Sequence, residues 1–434
     1  MIRFKNIAFD SEKGSEMYNF ISELFPICRS ITGNGVRETL ERISKHIQLE
    51  ITEIPTGTQV FDWQIPREWN INDAYIIDPE GKKIIDFKKL NLHVLNYSIP
   101  VHKKIDLGTL KKHLYTIPDK PDWVPYFTSY YVEKWGFCMS HNQFTSLPEG
   151  DYEVCIDSSL KEGHLTYGEV LLKGQSEEEI LISTHICHPS LCNDNLSGIA
   201  VCTHLAKLLT NTDHYYSYRF LFIPGTIGAI AWLAKNEKKL EKIKFGLVTS
   251  LLGLDDVFTY KRTRSGNEAI DKVVEYILKQ NTPNHKIIDF IPYGYDERQF
   301  CSPGINLAVG NITRVPYSEY PEYHTSADNM DLVSVKALQD SLDVFLKIIQ
   351  GIECEKKYIN LFPKGEPQLG KRGLYDNLGG RNDSKILQLA LLWILNFSDG
   401  QHSITDIAIR SGINIELIIE ATNMLFEKGL LKEQ

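Results

Sequence analysis

The pattern of apolar residues changes within the first third of the chain. Over residues 14–47 they recur every three or four positions, with a glycine-containing break at 33–35, and this spacing predicts two helices. From residue 51 to about 122 the chain is rich in proline, aromatic and β-branched residues. The run 74–85 predicts a strand, a turn and a second strand. Together these patterns predict a helical start followed by a small β-rich insert.

Beyond about residue 132, short apolar runs alternate with helical patterns. Residues 180–184, 219–224 and 244–250 are predicted to be buried strands, and the segments that follow them, up to a last helix at 333–353, to be helical. Such alternation predicts a mostly parallel or mixed sheet flanked by helices. Sheets of this kind bind ligands in the loops at the carboxyl ends of their strands.

The tail, beyond a linker rich in Gly and Pro, has the pattern of a small separate unit. Three helical segments precede a short terminal strand, which predicts a winged helix. The fold class is therefore α/β with a β-rich inserted domain and a winged-helix domain. The predicted domains are residues 1–55 and 131–360 for the main unit, 56–130 for the insert and 375–434 for the winged helix.

Composition limits the partners that we expect. A net charge of -9 disfavours a general binder of polyanions, because phosphate binding needs a basic surface. We expect no membrane span and no secretory signal, since the chain has no apolar stretch of the necessary length. The eight cysteines are scattered without a CxxC pair, which is typical of reduced thiols in the cytoplasm.

The strongest chemical signal is the segment 183–198. A buried strand ends in His185, and Asp194 opens the following helix. A metal ion takes nitrogen and carboxylate ligands from different rigid segments, and a strand end and a helix start supply two. Asn195 and Ser197 are expected to cap the helix start. Taken alone, Asp194 would be interpreted as a helix cap and His185 as a hydrogen-bonded core histidine.

A third candidate ligand, His324, lies in the segment 320–330. The alternative for this residue is a loop histidine stacked between Tyr320 and Tyr323. Asp328 is expected to cap the turn or to orient His324.

Clustered His and Asp residues at strand ends are the expected geometry of a site. The sequence therefore predicts a metal site made of His185, Asp194 and His324, with His188 as an additional ligand or as a replacement for His185. Three protein ligands and one open position are the arrangement of a catalytic zinc.

Residues 132–353 resemble the co-catalytic zinc aminopeptidases, a family that also includes the glutaminyl cyclases. The resemblance rests on Asp-Asn-Leu-Ser-Gly at 194–198 and Tyr-His-Thr-Ser-Ala-Asp at 323–328. Over nearly its full length the chain is more similar to an uncharacterised bacterial group of this type, which has a β-rich insert and a carboxyl-terminal winged helix. The most specific shared pieces are Phe61-Asp-Trp, Cys187-His-Pro-Ser, Asp296-Glu-Arg-Gln-Phe and Pro321-Glu-Tyr-His-Thr.

The chain departs from the resembled family where that family carries a pair of glutamates. Those positions fall on Gly225 and Thr226, and the family's further aspartate falls on Leu254, with Asp255 one residue away. Glycine has no side chain, and a neutral threonine hydroxyl is a poor zinc ligand. A second metal would therefore lack most of its ligands, and one Zn²⁺ ion is expected.

Residues 296–298 are predicted to complete the site. A base must reach the water that a metal activates, and Glu297 is the candidate, with Asp296 as the second choice. An ion pair between Glu297 and Arg298 is the alternative. Arg298 and Tyr323 are predicted to bind substrate, whereas the basic run 261–264 could bind a carboxylate or be a solvated turn. Four tyrosines could line a pocket or pack within their loops: Tyr293, Tyr295, Tyr317 and Tyr323.

A winged helix suggests DNA binding, but the third helix of the tail, at 414–427, carries three glutamates and neither Lys nor Arg. Such a helix disfavours contact with phosphate. The tail is therefore expected to bind a protein partner or to form a homo-oligomer.

Three functions follow from these observations. The first is a zinc-dependent, aminopeptidase-like hydrolase that acts on a small peptide or amide. The second is a catalytically impaired pseudoenzyme or binding protein on the same scaffold, which the loss of both glutamates motivates. The third is a regulator that acts through the tail.

Overall fold

A computed structural model describes residues 12–374 and 384–434 of the chain. The helices are α1 (Lys13–Leu24), α2 (Asn34–Ser44), α3 (Leu107–Lys111), α4 (His141–Thr145), α5 (Gly198–Thr210), α6 (Ile227–Asn236), α7 (Ala269–Asn281), α8 (Glu297–Phe300), α9 (Val335–Glu353), α10 (Ser384–Phe397), α11 (Ile404–Ser411) and α12 (Ile415–Glu427). The strands are β1 (Glu50–Pro55), β2 (Gln59–Val60), β3 (Trp63–Gln64), β4 (Glu68–Ile77), β5 (Lys83–Asp86), β6 (Val101–Asp106), β7 (Leu114–Tyr115), β8 (Phe137–Cys138), β9 (Asp151–Lys161), β10 (His164–Leu172), β11 (Glu179–His185), β12 (Ser217–Ile223), β13 (Ile243–Thr249), β14 (Phe258–Lys261), β15 (His285–Ile288), β16 (Val309–Thr313), β17 (Lys357–Asn360), β18 (Asp399–Ser403) and β19 (Leu431–Glu433).

The two predicted helices at the start of the chain are confirmed as α1 and α2. The break between them depends on Gly33, whose φ of +97° is unfavourable for any residue with a side chain. A Cβ atom at this position would also lie 2.0 Å from the carbonyl oxygen of Trp69 on β4. The backbone of the break thus packs directly against the insert.

The main sheet has the strand order β1-β10-β12-β11-β13-β16-β14-β15. Its central strand, β11, runs parallel to both neighbours, β12 and β13, and is buried along its whole length. Antiparallel pairs on either side of this centre make the sheet mixed. The predicted mixed sheet flanked by helices is confirmed.

Helices cover both faces of the main sheet. Ile180 and Ile182 of β11 face the core that α1, α5, α7 and α9 supply, whereas Leu181 faces the core that α6 and α8 supply. Side chains of successive strand residues point to opposite faces, so a strand covered on both sides reads as a continuous apolar run. This is why β11 could be predicted from the sequence.

A separate antiparallel sheet of order β5-β4-β9-β6 forms the β-rich insert. The predicted strand, turn and strand at 74–85 are confirmed as β4 and β5. β9 belongs to this sheet although it lies beyond residue 130, where the predicted insert ends. The predicted domain boundaries stay predictions.

The tail forms a third, antiparallel sheet, β18-β17-β19, with α10, α11 and α12 packed on it. The Ser403 side chain accepts a hydrogen bond from the backbone N–H of Asp406, and the Asp406 carboxylate accepts one from the backbone N–H of Ser403. This reciprocal pair caps α11. The predicted three helices and terminal strand are confirmed. Residues 1–11 and 375–383, which belong to two of the predicted domains, lie outside the described residues.

All eight cysteines lie in the described parts of the chain, and each is a free thiol. Over residues 12–374 and 384–434, none of the helices combines the length and the apolarity that crossing a bilayer requires. The cytoplasmic location stays a prediction.

Glu353, the last residue of α9, is buried and holds the segment that leads into β12. Its carboxylate accepts hydrogen bonds from the backbone N–H groups of Tyr215 and Tyr216, at 2.6 and 3.2 Å, and from the Tyr218 hydroxyl at 2.8 Å. We expect Glu353→Ala to lower the free energy of unfolding by about 3 kcal/mol, because it leaves buried donors without an acceptor. Urea unfolding measures this, with the exposed α9 substitution Lys336→Ala as control. Equal stability of the two variants would contradict this role of Glu353.

Candidate metal centre

The site begins at the carboxyl end of β11. His185 ends this strand, and its side chain is fully buried because β12 and β13 flank the strand. The Thr184 hydroxyl donates to the carbonyl of Thr249 at 2.9 Å, which fixes the strand end to β13. The imidazole of His185 is thus carried by the most rigid part of the sheet.

Asp194 lies in the turn Cys192–Ser197, which leads directly into α5, and its own backbone is not helical, with φ -108° and ψ 82°. Asn195 does not cap this helix as expected: its side-chain amide donates to the Thr184 hydroxyl and to the carbonyl of His185, at 2.8 and 2.9 Å. Ser197 likewise bonds to the Asn193 carbonyl at 2.7 Å. The expected capping role was wrong: Asn195 joins the turn to β11, and Ser197, which accepts from the Leu252 N–H at 2.9 Å, joins it to the segment after β13.

Asp328 fixes the backbone of this turn. Its buried carboxylate accepts from the backbone N–H groups of Asn193 and Asp194, at 2.6 and 3.0 Å, and from the Tyr320 hydroxyl at 2.9 Å. Burial raises the pKa of Asp328 to about 7, and the nearby charge of Asp194 adds to this effect. Of the two roles expected for Asp328, the structure has the one in which it caps backbone groups.

The insert positions His324. The N–H of Tyr126 donates to the His324 carbonyl at 2.8 Å, and the N–H of Ser326 donates to the carbonyl of Val124 at 2.8 Å. His324 itself has a φ of +53°, a conformation that side-chain-bearing residues adopt rarely. These bonds to the chain leaving the insert hold the residue in that conformation.

His185 and His324 converge on the carboxylate of Asp194. The His185 Nε2 atom lies 2.8 Å from Asp194 Oδ1, and the His324 Nε2 atom lies 3.0 Å from Asp194 Oδ2. His188 Nδ1 lies 3.7 Å from Oδ1. His185, His188 and Asp194 each offer a ligand atom within 4.8 Å of the others. We call these four residues the histidine–aspartate cluster.

The protonation states of the cluster suit a cation. Burial raises the pKa of Asp194, but the imidazoles of His188, His185 and His324 outweigh it and hold the pKa well below its usual value. Burial lowers the pKa of His185, and it lowers that of His188 far below the usual range. An ionised Asp194 beside the neutral imidazoles of His185 and His188 is a set of protonation states that metal binding requires.

Tyr295 fills the space beside His185. Its ring stacks on the His185 imidazole at 3.8 Å between centroids and on the Tyr317 ring at 5.6 Å. A Cβ atom at Gly225 would lie 1.9 Å from the Tyr295 ring. An aromatic ring from another loop therefore fills the space that a side chain at position 225 would need. The correspondence of Gly225 to a glutamate of the resembled family stays a prediction.

A cavity of about 230 Å³ opens next to the cluster. Its walls come from the insert exit, from the segment after β11 and from the loop before α6. The lining residues are Tyr126, Phe127, Thr128, Tyr130, Cys187, His188, Gly225, Tyr295 and His324. The hydroxyls of Tyr126 and Tyr130 lie 3.0 Å apart, so two polar groups lie side by side in a lining rich in aromatic residues.

Glu297 is fully buried, and its carboxylate is ion-paired with Lys261, not with Arg298. It also accepts from the Asn311 amide at 3.1 Å and from the N–H of Tyr295 at 3.1 Å. Glu297 therefore orients the segment that carries Tyr295. Its role as base stays a prediction, and that role would require the pair with Lys261 to open.

The two predicted substrate contacts lie elsewhere among the described residues. Tyr323 stacks on His324 at 3.9 Å between ring centroids, and neither Tyr323 nor Arg298 belongs to the described lining of the cavity. The second-choice base, Asp296, is fully buried, and neither of its carboxylate oxygens has a hydrogen-bonding partner in the described chain. The substrate roles of Tyr323 and Arg298 stay predictions.

The basic run 261–264 is occupied by structural contacts. Lys261 also donates to the carbonyl of Tyr293 at 2.5 Å, and Arg262 pairs with Glu275 at 2.6 Å. Asp255, the residue nearest to the resembled family's further aspartate, contacts Lys336 at 3.2 Å. Lys261 is the last residue of β14 and is buried, so the run is not a solvated turn, and the binding of a substrate carboxylate by it stays a prediction.

Two contributions to the site had no local signal in the sequence. Tyr126 reaches the cluster from the insert, and the buried Arg29 donates from Nε to the carbonyl of His188 at 2.8 Å. His188 was recognised, but only as an alternative. The Cys187-His-Pro-Ser run was the available clue for it, since it follows a buried strand directly.

Comparisons with known proteins agree with this architecture. Residues 18–355 match the family described as a domain of unknown function, DUF4910, and residues 356–433 match a winged helix-turn-helix family. A protein of Clostridium acetobutylicum is 53% identical over 428 residues, which cover 99% of this chain and 98% of that protein. That relative is provisionally named a polysaccharide biosynthesis protein with an aminopeptidase-like domain.

Solved structures give the same scaffold. The crystal structure of a provisionally named peptidase from Clostridium acetobutylicum has a TM-score of 0.93 at 52% identity and covers 99% of both chains. A zinc aminopeptidase from Bacillus subtilis has a TM-score of 0.57 at 12% identity, over 80% of this chain and 95% of that one. The scaffold is aminopeptidase-like, with a carboxyl-terminal winged helix.

The contact between Gly225 and the Tyr295 ring can be tested through stability. We expect Gly225→Ala to lower the free energy of unfolding by about 1–3 kcal/mol, because the added methyl group overpacks a filled space. In a Tyr295→Ala background the same change should cost close to nothing. Urea unfolding of the four proteins gives the coupling. Gly304→Ala, where the new methyl group would meet open space, is the control, and equal costs in both backgrounds would refute the contact.

Proposed function

The chain belongs to the DUF4910 family, and on this premise we propose that it is a hydrolase that uses one divalent metal ion to act on a small peptide or amide. The observation that carries the proposal is the convergence of His185, His188 and His324 on the buried carboxylate of Asp194.

The residues present fit a metal ion. The Nδ1 atoms of His185 and His188 are buried and have no hydrogen-bonding partner in the described chain, and a buried polar atom without a partner costs free energy. A mixed set of imidazole and carboxylate donors is typical of zinc sites. Zinc held by His185, Asp194 and His324 would supply a Lewis acid and a water of lowered pKa.

The size of the cavity limits the substrate. At about 230 Å³ it is below the ~300–1,000 Å³ of most small-molecule sites, so it would receive only the terminal unit of a substrate. The facing hydroxyls of Tyr126 and Tyr130 can bind a polar group on that unit. The Clostridium relative is named for polysaccharide biosynthesis. A test should therefore include amides of amino sugars as well as peptides.

Glu297 is the carboxylate that we propose as base or as the residue that orients the base. Its pair with Lys261 and its bond to the Tyr295 backbone couple it to the wall of the cavity. Proton transfer from water to Glu297 would require Lys261 to release one carboxylate oxygen.

A second candidate function is a binding protein with a closed metal site. The Tyr295 ring next to Gly225 favours it, because it leaves no room for a glutamate base there. The position of His188 distinguishes the two functions. Three protein ligands leave zinc an open position for catalysis, whereas a fourth ligand from His188 would close a tetrahedral site.

We propose the winged helix as a module for protein interaction or homo-oligomer formation. α12 carries Glu416, Glu420 and Glu427, and between Ile415 and Glu427 it has no Lys or Arg. Nucleic acid is therefore a disfavoured partner.

Metal content tests the site directly. We expect purified protein to hold about one zinc per chain, because His185, Asp194 and His324 supply three ligands. His185→Ala and Asp194→Ala should each reduce the content to below about a tenth of this. Elemental analysis after gel filtration measures it, with the partly exposed His402→Ala as a matched control outside the cluster.

His188→Ala separates the two candidate functions in the same assay. Metal that persists in this variant would support an open, catalytic site, and its loss would support a closed one. Metal-free protein in every case, even after zinc is added back, would refute both functions.

Hydrolysis tests the reaction itself. We expect cleavage of at least one member of a panel of aminoacyl amides, dipeptides and N-acetylamino sugars, abolished by chelation and restored by zinc. Glu297→Gln should lower kcat by about 10²–10⁴-fold if Glu297 is the base. Full activity of His324→Ala would contradict the proposed ligand set.

A further inference from the structure

A second cleft, of about 480 Å³, lies where the insert meets the main sheet's helices. One wall is the connection between α1 and α2, and the other is formed by β4 and the segment 87–91 that follows β5. The described residues that line it include none that line the cavity beside the histidine–aspartate cluster. Its volume lies within the ~300–1,000 Å³ range typical of small-molecule sites.

Four asparagines line the cleft, and a carboxamide presents a donor and an acceptor on adjacent atoms, which matches vicinal hydroxyl groups. The polar lining residues are Thr32, Asn34, Glu38, Asn70, Asn72 and Asn91. The side chains of Thr32, Asn34 and Asn70 already form hydrogen bonds within the chain. The groups left for a ligand are therefore the exposed Asn72 amide, the Asn91 Oδ1 atom and the exposed Glu38 carboxylate.

Asn91, which lines the cleft, has a buried side-chain oxygen that lacks a hydrogen-bonding partner in the described chain. The side chain is 9% exposed, and its Nδ2 atom reaches only the Pro26 carbonyl at 3.4 Å. An unpaired buried acceptor costs about 1–3 kcal/mol. A ligand hydroxyl that approaches Asn91 would recover this cost.

One acidic and two basic side chains, Glu38, Lys88 and Lys89, line the cleft, so its charges are close to balanced. The Lys88 ammonium already donates to the Asn72 carbonyl and lies 5.7 Å from the centre of the Phe87 ring. No arginine, the side chain that binds phosphate with two parallel hydrogen bonds, is among the described lining residues. The neutral amides dominate, and Phe25 and Phe87 add apolar faces.

We propose that this amide-lined cleft binds a neutral sugar unit. The amides bind ring hydroxyls, and the aromatic side chains cover the C–H face of the ring. The site does not depend on the proposed hydrolase activity, because its residues are separate from the cluster.

Titration calorimetry with a panel of neutral disaccharides, including maltose and N,N′-diacetylchitobiose, tests the proposal on the full chain. We expect at least one of them to bind, and the double variant Glu38→Ala/Asn72→Ala to bind it at least tenfold more weakly. Both side chains are exposed, so the variant should fold. Glu41→Ala, on the same helix but outside the cleft, is the matched control and should bind as wild type.

Two further measurements separate this site from others. His185→Ala should bind the disaccharide with unchanged affinity, so that failure of the hydrolase proposal leaves the sugar site intact. Inorganic phosphate should neither bind in the cleft nor displace the sugar. Absence of binding by the whole panel, equal binding by the double variant, or displacement by phosphate would each overturn the proposal.

Discussion

The fully buried carboxylate of Asp194 is the constraint that organises this molecule. A charge in the interior is tolerated only when it is paired and its backbone is held. Here His185 comes from the central strand, His324 from a loop more than a hundred residues later, and Asp328 from the same loop clamps the turn that carries Asp194. The central strand, the turn before α5 and the 320–330 loop are therefore connected at a single residue. A metal ion would bind to an arrangement of His and Asp side chains that the fold itself already holds together.

Gly225 and Tyr295 depend on each other in this site. The ring of Tyr295 stacks on the His185 imidazole, and the glycine makes room for the ring. A side chain at position 225 and the ring in its present place exclude each other. The wall beside His185 is therefore an aromatic surface.

Much of the fold could be predicted because its signals are local. β11, α5 and α9 are periodic apolar segments, and the capped start of α11 is explicit in the sequence. His185 and Asp194 could be singled out because they lie where such segments end and begin, and His324 because its segment, 320–330, resembles a known motif; their role as metal ligands stays a prediction. Tyr126, Arg29 and the partner of Glu297 could not, because those contacts depend on how distant segments pack. Asn195 shows the same limit: its residue type suggested a cap, whereas the fold used its amide to join strand and turn.

The bridge between the insert exit and the His324 loop has a consequence for how the chain folds. Pro125 pairs with Thr325, and the N–H of Val124 donates to the Ser326 hydroxyl across 202 positions of sequence. Contacts of such separation form late, because the entropy of closing a long loop must be met first. A nascent chain that has completed β11 and α5 still lacks one wall of its cavity and one histidine of its cluster. The cavity therefore comes into existence only in a chain that has been synthesised past Ser326.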